Sequence, residues 1–156
     1  MRLDDSKFTT IPVGKLGLIA MESCSELGKK VDEYLVKWHK ERQASDHSLI
    51  NESVQDSFLL DASCPRFGSG EAKAFLKESV RGADLFILVD VCNYSLTYKL
   101  CGYENHMSPD DHYQDLKRII SAATGKAKRI NVIMPFLYES RQHKRTKRES
   151  LDCAFA

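Results

Sequence analysis

Along the chain, short solid runs of apolar residues alternate with stretches of helical spacing. Leu16-Gly17-Leu18-Ile19-Ala20-Met21 is apolar throughout, the pattern of a strand buried on both faces. Ser23 and Glu26 then stand at capping-box spacing, and Leu27, Val31, Tyr34, Leu35 and Trp38 fall on one face of the predicted helix. His39 to Val54 is polar and aperiodic, read as surface helix or loop. Phe58-Leu59-Leu60 and Ala72 to Leu76 read as short strands flanking a bend from Cys64 to Gly70, where Pro65, Gly68 and Gly70 favour a turn. Asp84 to Val91 is the clearest core strand. The connection from Cys92 to Met107 holds three tyrosines and little period. Ser108-Pro109-Asp110-Asp111 opens a second helix, with serine as cap, proline at the first position and acids in the first turn. Tyr113, Leu116, Ile119, Ile120 and Ala123 give its buried face, and Gly125 ends it. Ile130 to Leu137 is the last strand.

Strand, helix, strands, helix, strand predicts a single α/β domain over residues 1–156, a mostly parallel sheet with flanking helices. In such sheets ligands collect beyond the carboxyl ends of the strands. The stretch after Leu137 is therefore the place to look for chemistry.

Charge sharpens that expectation. Net charge is +1 over 156 residues, but it is unevenly placed. Residues 141–156 carry five basic and two acidic side chains, and all five bases lie between Arg141 and Arg148. A local positive cluster on a near-neutral domain suits an anionic ligand, or else a solvated loop. The chain is 42% hydrophobic and 29% charged, a globular composition. No apolar run is long enough to cross a bilayer, and the start Met1-Arg2-Leu3-Asp4-Asp5 has no signal-like apolar region. Five scattered cysteines without a C-x-x-C pair suggest neither disulfides nor zinc, and so a reducing cytoplasm.

Four stretches together resemble the ribose-phosphate diphosphokinase (phosphoribosyl pyrophosphate synthetase) family. Arg66-Phe67-Gly68-Ser69-Gly70-Glu71 is similar to its F-x-(D/N)-x-E segment, and Glu78-Ser79-Val80-Arg81-Gly82-Ala83-Asp84 to its E-S-V-R-G turn. Asp110 to Leu116 resembles the N-D-N-L-M-E-L helix start. Ile130 to Leu137, followed by Arg141-Gln142-His143 and the basic run, resembles the V-I-P-Y strand, the A-R-Q-D motif and a flexible loop. His143 replaces the usual Asp, and Ser69 stands where Asp or Asn is usual. The connections His39–Cys64 and Cys92–Met107 are long for the family, and the basic loop is one residue short.

The resemblance implies a type I phosphoribosyltransferase-like fold and the amino-terminal domain of a two-domain enzyme, truncated at the carboxyl end. Such an enzyme transfers diphosphate from ATP to ribose 5-phosphate with Mg²⁺. The ribose 5-phosphate would be held through the missing half, and the fragment alone would be inactive. It further implies that Arg141, Gln142 and His143 contact ATP, and that Lys144, Arg145, Lys147 and Arg148 act at the reacting phosphates. Phe67 would stack on adenine, with Ser69 and Glu71 on its edge, in a neighbouring subunit of a homo-oligomer. Ser79 and Arg81 would line a regulatory phosphate site. Alternatives from other classes are a non-catalytic synthetase-associated regulatory protein and a plain nucleotide- or phosphate-binding domain. The three tyrosines of the long connection are interleaved with no base but Lys99, which argues against nucleic acid. His39, His47, His106 and His112 lack metal-ligand spacing.

Overall fold

The computed structural model describes residues 12–45 and 55–156. Its centre is a parallel three-stranded sheet in the order β1 (Lys15–Ala20), β4 (Ala83–Leu88), β7 (Arg129–Ile133). Register pairs Leu18 with Phe86 and Phe86 with Asn131. Two small antiparallel pairs flank it: β2 (Ala62–Ser63) with β3 (Phe75–Leu76), and β5 (Thr97–Leu100) with β6 (Tyr103–His106).

Because successive strand residues point to opposite faces, β1 and β4 feed two cores. Ile19, Leu85, Ile87 and Val89 meet Leu116, Ile119 and Ala123 of α2 (Pro109–Ala123) on one face. On the other, Leu18, Leu88 and Phe86 meet Val31, Leu35 and Val36 of α1 (Ser25–Ser45). Helix, sheet and helix form the three layers expected from the sequence. α2 buries the expected face, Leu116, Ile119 and Ala123 fully and Tyr113 and Ile120 in part. Its start is the expected one: Ser108 Oγ accepts from Asp111 N–H while the Asp111 carboxylate accepts from Ser108 N–H, with Pro109 at the first position.

Several expectations need correction. No capping box joins Ser23 to Glu26: residues 22–24 form a single 3₁₀ turn, and Ser23 Oγ accepts from Asp90 N–H at 3.1 Å. The buried stripe of α1 is rotated from the predicted one. Leu27, Tyr34 and Trp38 are exposed, while Gly28 and Asp32 are buried. A Cβ on Gly28 would sit 2.2 Å from Ala20 Cβ, so glycine is what lets α1 approach β1 this closely. Asp32 accepts from Phe58 N–H (2.6 Å) and Ser57 Oγ (2.8 Å). That fastens residues 57–60 along β1, where Leu59 bridges Leu18 in parallel. The strand pair flanking the Cys64–Gly70 bend exists, but its first arm is Ala62–Ser63 rather than Phe58–Leu60. α1 reaches Ser45; the rest of the polar stretch, 46–54, lies outside the described residues.

The largest departure is the connection 92–107, which is a hairpin rather than aperiodic loop. Cys101 and Gly102 both have positive φ (50° and 86°) at its tip, the two-residue turn whose twist suits paired strands.

Candidate functional site

The carboxyl ends of the three sheet strands are knitted together by side chains. Asp90, just past β4, receives Cys92 N–H on its carboxylate, and Asn93 donates to Ser23 O at 3.1 Å. His112 Nε2 meets Asn93 O at 2.7 Å; a carbonyl only accepts, so this nitrogen carries the proton. Tyr138, after β7, donates its hydroxyl to Asp110 Oδ1 at 2.6 Å and packs against the Tyr113 ring. That bond to a carboxylate, with burial, pushes the Tyr138 hydroxyl up to about 12. The chain thus leaves β7 pinned to the amino end of α2, three residues before Arg141.

From there it forms a loop with a tied neck. Gln142 Oε1 accepts from Asp152 N–H (2.9 Å), and Gln142 O accepts from Cys153 N–H (3.1 Å). These bonds hold the short α3 (Asp152–Phe155) against the start of the loop. Between the two sides of the neck, residues 143–150 are all exposed. Local bonds alone shape them: His143 Nδ1 with Arg141 O, Gln142 Nε2 to Lys144 O, and Thr146 Oγ1 to Glu149. Arg141, Lys144, Arg145, Lys147 and Arg148 have no side-chain partner among the described residues. Five cations in the exposed chain that follows β7, none paired with a carboxylate among the described residues, leave a surface able to receive a polyanion.

Phe67, Ser69 and Glu71 share one tight turn, closed by Phe67 N–H to Glu71 O (2.7 Å) and Gly70 N–H to Phe67 O (2.9 Å). Ser69 Oγ donates to the Glu71 carboxylate at 2.9 Å. Phe67 is 52% exposed, so about half of the residue faces outward from its own chain. Among the described residues no hydrogen bond, ion pair or ring contact joins this turn to the basic loop. Ser79 and Arg81 lie elsewhere, beside a shallow groove that Lys126 also lines. Arg81 N–H reaches Ser79 Oγ at 3.4 Å, the tight local turn expected of that stretch.

A cluster missed by sequence reasoning braces the turn. Arg66 is 11% exposed, donates to Asp115 Oδ2 (2.9 Å) and Gly70 O (3.1 Å), and lies over the Tyr98 ring. Arg118 donates to the other Asp115 oxygen at 2.6 Å. Burial pushes the Asp115 carboxyl upward, against the pull of the two guanidiniums. Cys64 beside it is driven to about 11, chiefly by burial, and is a protonated thiol rather than a nucleophile. Asp115 continues the apolar face of α2, so periodicity gave no hint that a charge belonged there.

Helix, parallel sheet and helix in three layers define an α/β domain, consistent with a phosphoribosyltransferase-like fold. Phosphoribosylpyrophosphate synthetase from Mycobacterium smegmatis has a similar fold: TM-score 0.61 at 24% identity, covering 88% of this chain and 36% of that one. A curated relative, ribose-phosphate pyrophosphokinase 1 of Schizosaccharomyces pombe, is 35% identical over 88 residues, which is 56% of this chain and 18% of the relative. The family model for the N-terminal domain of ribose phosphate pyrophosphokinase matches residues 16–156, and the chain belongs to that family. It spans well under half the length of either relative.

Proposed function

We propose that this domain is the ATP-side half of a ribose-phosphate diphosphokinase, in which the exposed loop 141–148 receives the triphosphate. The observation that carries the reading is the set of five unpartnered cations launched from the carboxyl end of β7, within the stretch that matches the family. In the reaction the anomeric hydroxyl of ribose 5-phosphate attacks the β-phosphorus of ATP. A new sugar O–P bond forms, the P–O bond to the α-phosphate breaks, AMP leaves, and the hydroxyl proton passes to solvent or a base. Charge builds on several phosphate oxygens at once, and fixed cations stabilise it. Arginine matches phosphate with its planar fork, and Lys144 and Lys147 act as point charges. A loop held only at its neck can close over the phosphates and exclude water.

Arg141, Gln142 and His143 contact ATP in this reading, and the carboxamide of Gln142, which binds Asp152 N–H and Lys144 O, also holds the neck of the loop. Phe67, Ser69 and Glu71 present an exposed ring beside a hydrogen-bonding edge, suited to adenine bound by a neighbouring copy in a homo-oligomer. Ser79 and Arg81, joined by Lys126, are the regulatory phosphate candidates. Among the described residues no group of three or more His, Cys, Asp or Glu is arranged to hold a metal ion. We therefore assign Mg²⁺ no protein ligand here and route no step through it. Among the same residues no helix is long and apolar enough to cross a membrane, and the reading places the enzyme in the cytoplasm.

The test is an assay of AMP release and sugar activation with ATP, Mg²⁺ and ribose 5-phosphate. The full-length gene product turns over and the 156-residue chain alone stays at background. Turnover by the isolated chain would contradict the division of labour. A full-length product that binds ATP without turnover would make it a regulatory partner instead.

A further inference from the structure

Beneath the β5–β6 hairpin lies a cavity of about 460 Å³ that belongs neither to the basic loop nor to the exposed face of the Phe67 turn. Its floor is the carboxyl end of β1, its sides are residues 62–66 and the first turns of α2, and its roof is the base of the hairpin. That volume is in the range of small-molecule sites, and the walls are mainly apolar with few polar groups, as such sites require. We propose that the cavity binds a neutral heteroaromatic small molecule.

Charge decides against an anion. The lining side chains of the acidic and basic types, histidine aside, are Glu22, Arg66 and Asp115. Arg66 pairs with Asp115 at 2.9 Å and Asp111 at 3.9 Å, and Arg118 pairs with Asp115 at 2.6 Å. Two guanidiniums and two carboxylates therefore balance, and a phosphate or carboxylate entering here would meet no free cation and the negative charge of Glu22. The apolar lining favours a ring over an aliphatic chain. Met21, Cys64 and Met107 bring three sulfurs to the walls beside the Tyr98 ring, and polarisable sulfur packs well against aromatic edges.

The polar groups ask for a ring with both a donor and an acceptor. Arg66 uses Nη1 on Gly70 O and Nη2 on Asp115, which leaves other N–H groups of its five without a partner among the described residues. His112 is 2% exposed and lines the cavity; with Nε2 donating to Asn93 O, its Nδ1 has no partner among the described residues. The Ser63 hydroxyl also lines the cavity and has no partner among the described residues. Arg66 touches both the cavity and Gly70 O, so an occupant contacts the residue that braces the Phe67 turn. The binding itself does not depend on that turn meeting adenine.

Benzimidazole is a suitable probe, being neutral above pH 7 with one donor and one acceptor on a bicyclic ring. Titration followed by NMR shifts of the protein gives saturable binding with Kd below about 1 mM. Benzimidazole-5-carboxylate binds at least about tenfold more weakly. Filling the cavity by Ala62→Phe, or by Thr97→Trp from the exposed side of the hairpin should the first variant fail to fold, weakens benzimidazole at least about tenfold. Phe67→Ala leaves it unchanged. Absence of saturable binding, equal affinity for the carboxylate, or indifference to a folded filling variant would each overturn the proposal. Loss of binding in Phe67→Ala with none in the filling variants would also overturn it, placing the ring on the turn and leaving the ATP reading intact.

Discussion

Two groups of cations in this domain meet opposite fates. Arg66 and Arg118 converge on one buried carboxylate, Asp115, and their charge is consumed in holding the turn, the hairpin and α2 together. Arg141, Lys144, Arg145, Lys147 and Arg148 stand in an exposed loop with no carboxylate partner among the described residues. The difference shows which positive charge builds the fold and which is left for a ligand: a paired, buried guanidinium is architecture, and an unpaired exposed one is open to an anion.

The sharpest way to break this comparison is to remove an architectural cation. Arg66→Met leaves Asp115 buried with Arg118 alone and removes the bond to Gly70 O. Because Asp115 keeps Arg118, the cost is that of losing hydrogen bonds to a charged group, about 2 kcal/mol, measured as a loss of unfolding free energy in urea. If Arg66→Met melts like the parent, Arg66 is not the brace described.

A smaller effect is expected at the exposed turn. Phe67→Ala leaves stability nearly unchanged, because the ring is half exposed. In the proposed two-domain enzyme ATP affinity falls by about 1 kcal/mol, the usual worth of an aromatic stack. Calorimetric titration reads it, and an unchanged affinity would remove the ring from the site.

The smallest effect concerns an ion pair at the amino end of the sheet. Arg129 donates to both oxygens of Asp84, and Asn131 adds a third bond. The Arg129 hydrogen bonds hold the Asp84 carboxyl below the usual carboxylate range. A depressed folded pKa stabilises the fold above the unfolded value of about 4, and the gain is lost as pH falls through the folded value. Arg129→Ala therefore lowers the melting temperature slightly at pH 7, and the gap to the parent narrows below about pH 4. A gap that is constant with pH would mean the pair contributes packing alone.

Much of the architecture was legible because its signals are local. The cap at Ser108, the proline after it and the apolar face of α2 all announce themselves within a few residues, and the solid runs of β1 and β4 need no partner to be read. Failures arose where a distant group decided. Ser23 and Glu26 have capping spacing, but the serine hydroxyl goes to Asp90 N–H, 67 positions away in the chain. The buried stripe of α1 contains Gly28 and Asp32, which carry no apolar signal, so the hydrophobic pattern pointed toward Leu27, Tyr34 and Trp38 instead. The β5–β6 hairpin had a usable signal in Cys101-Gly102 between strand-forming residues, masked by tyrosines and charges spread on both faces. At the site, the basic loop and the Phe67 turn came from motif register, whereas the Arg66–Asp115–Arg118 cluster depends on the packing of α2 under the hairpin.

Steady-state kinetics of the Lys144→Ala and Arg148→Ala variants in the proposed two-domain enzyme test the central claim most directly. Contacts made mainly in the transition state lower kcat, whereas contacts made equally in both states raise KM. Each variant is expected to lose about two powers of ten in kcat, near 2.7 kcal/mol, with a much smaller change in the KM for ATP and an unaltered melting temperature. Variants with kcat near that of the parent would contradict the account and make loop 141–148 a solvated segment.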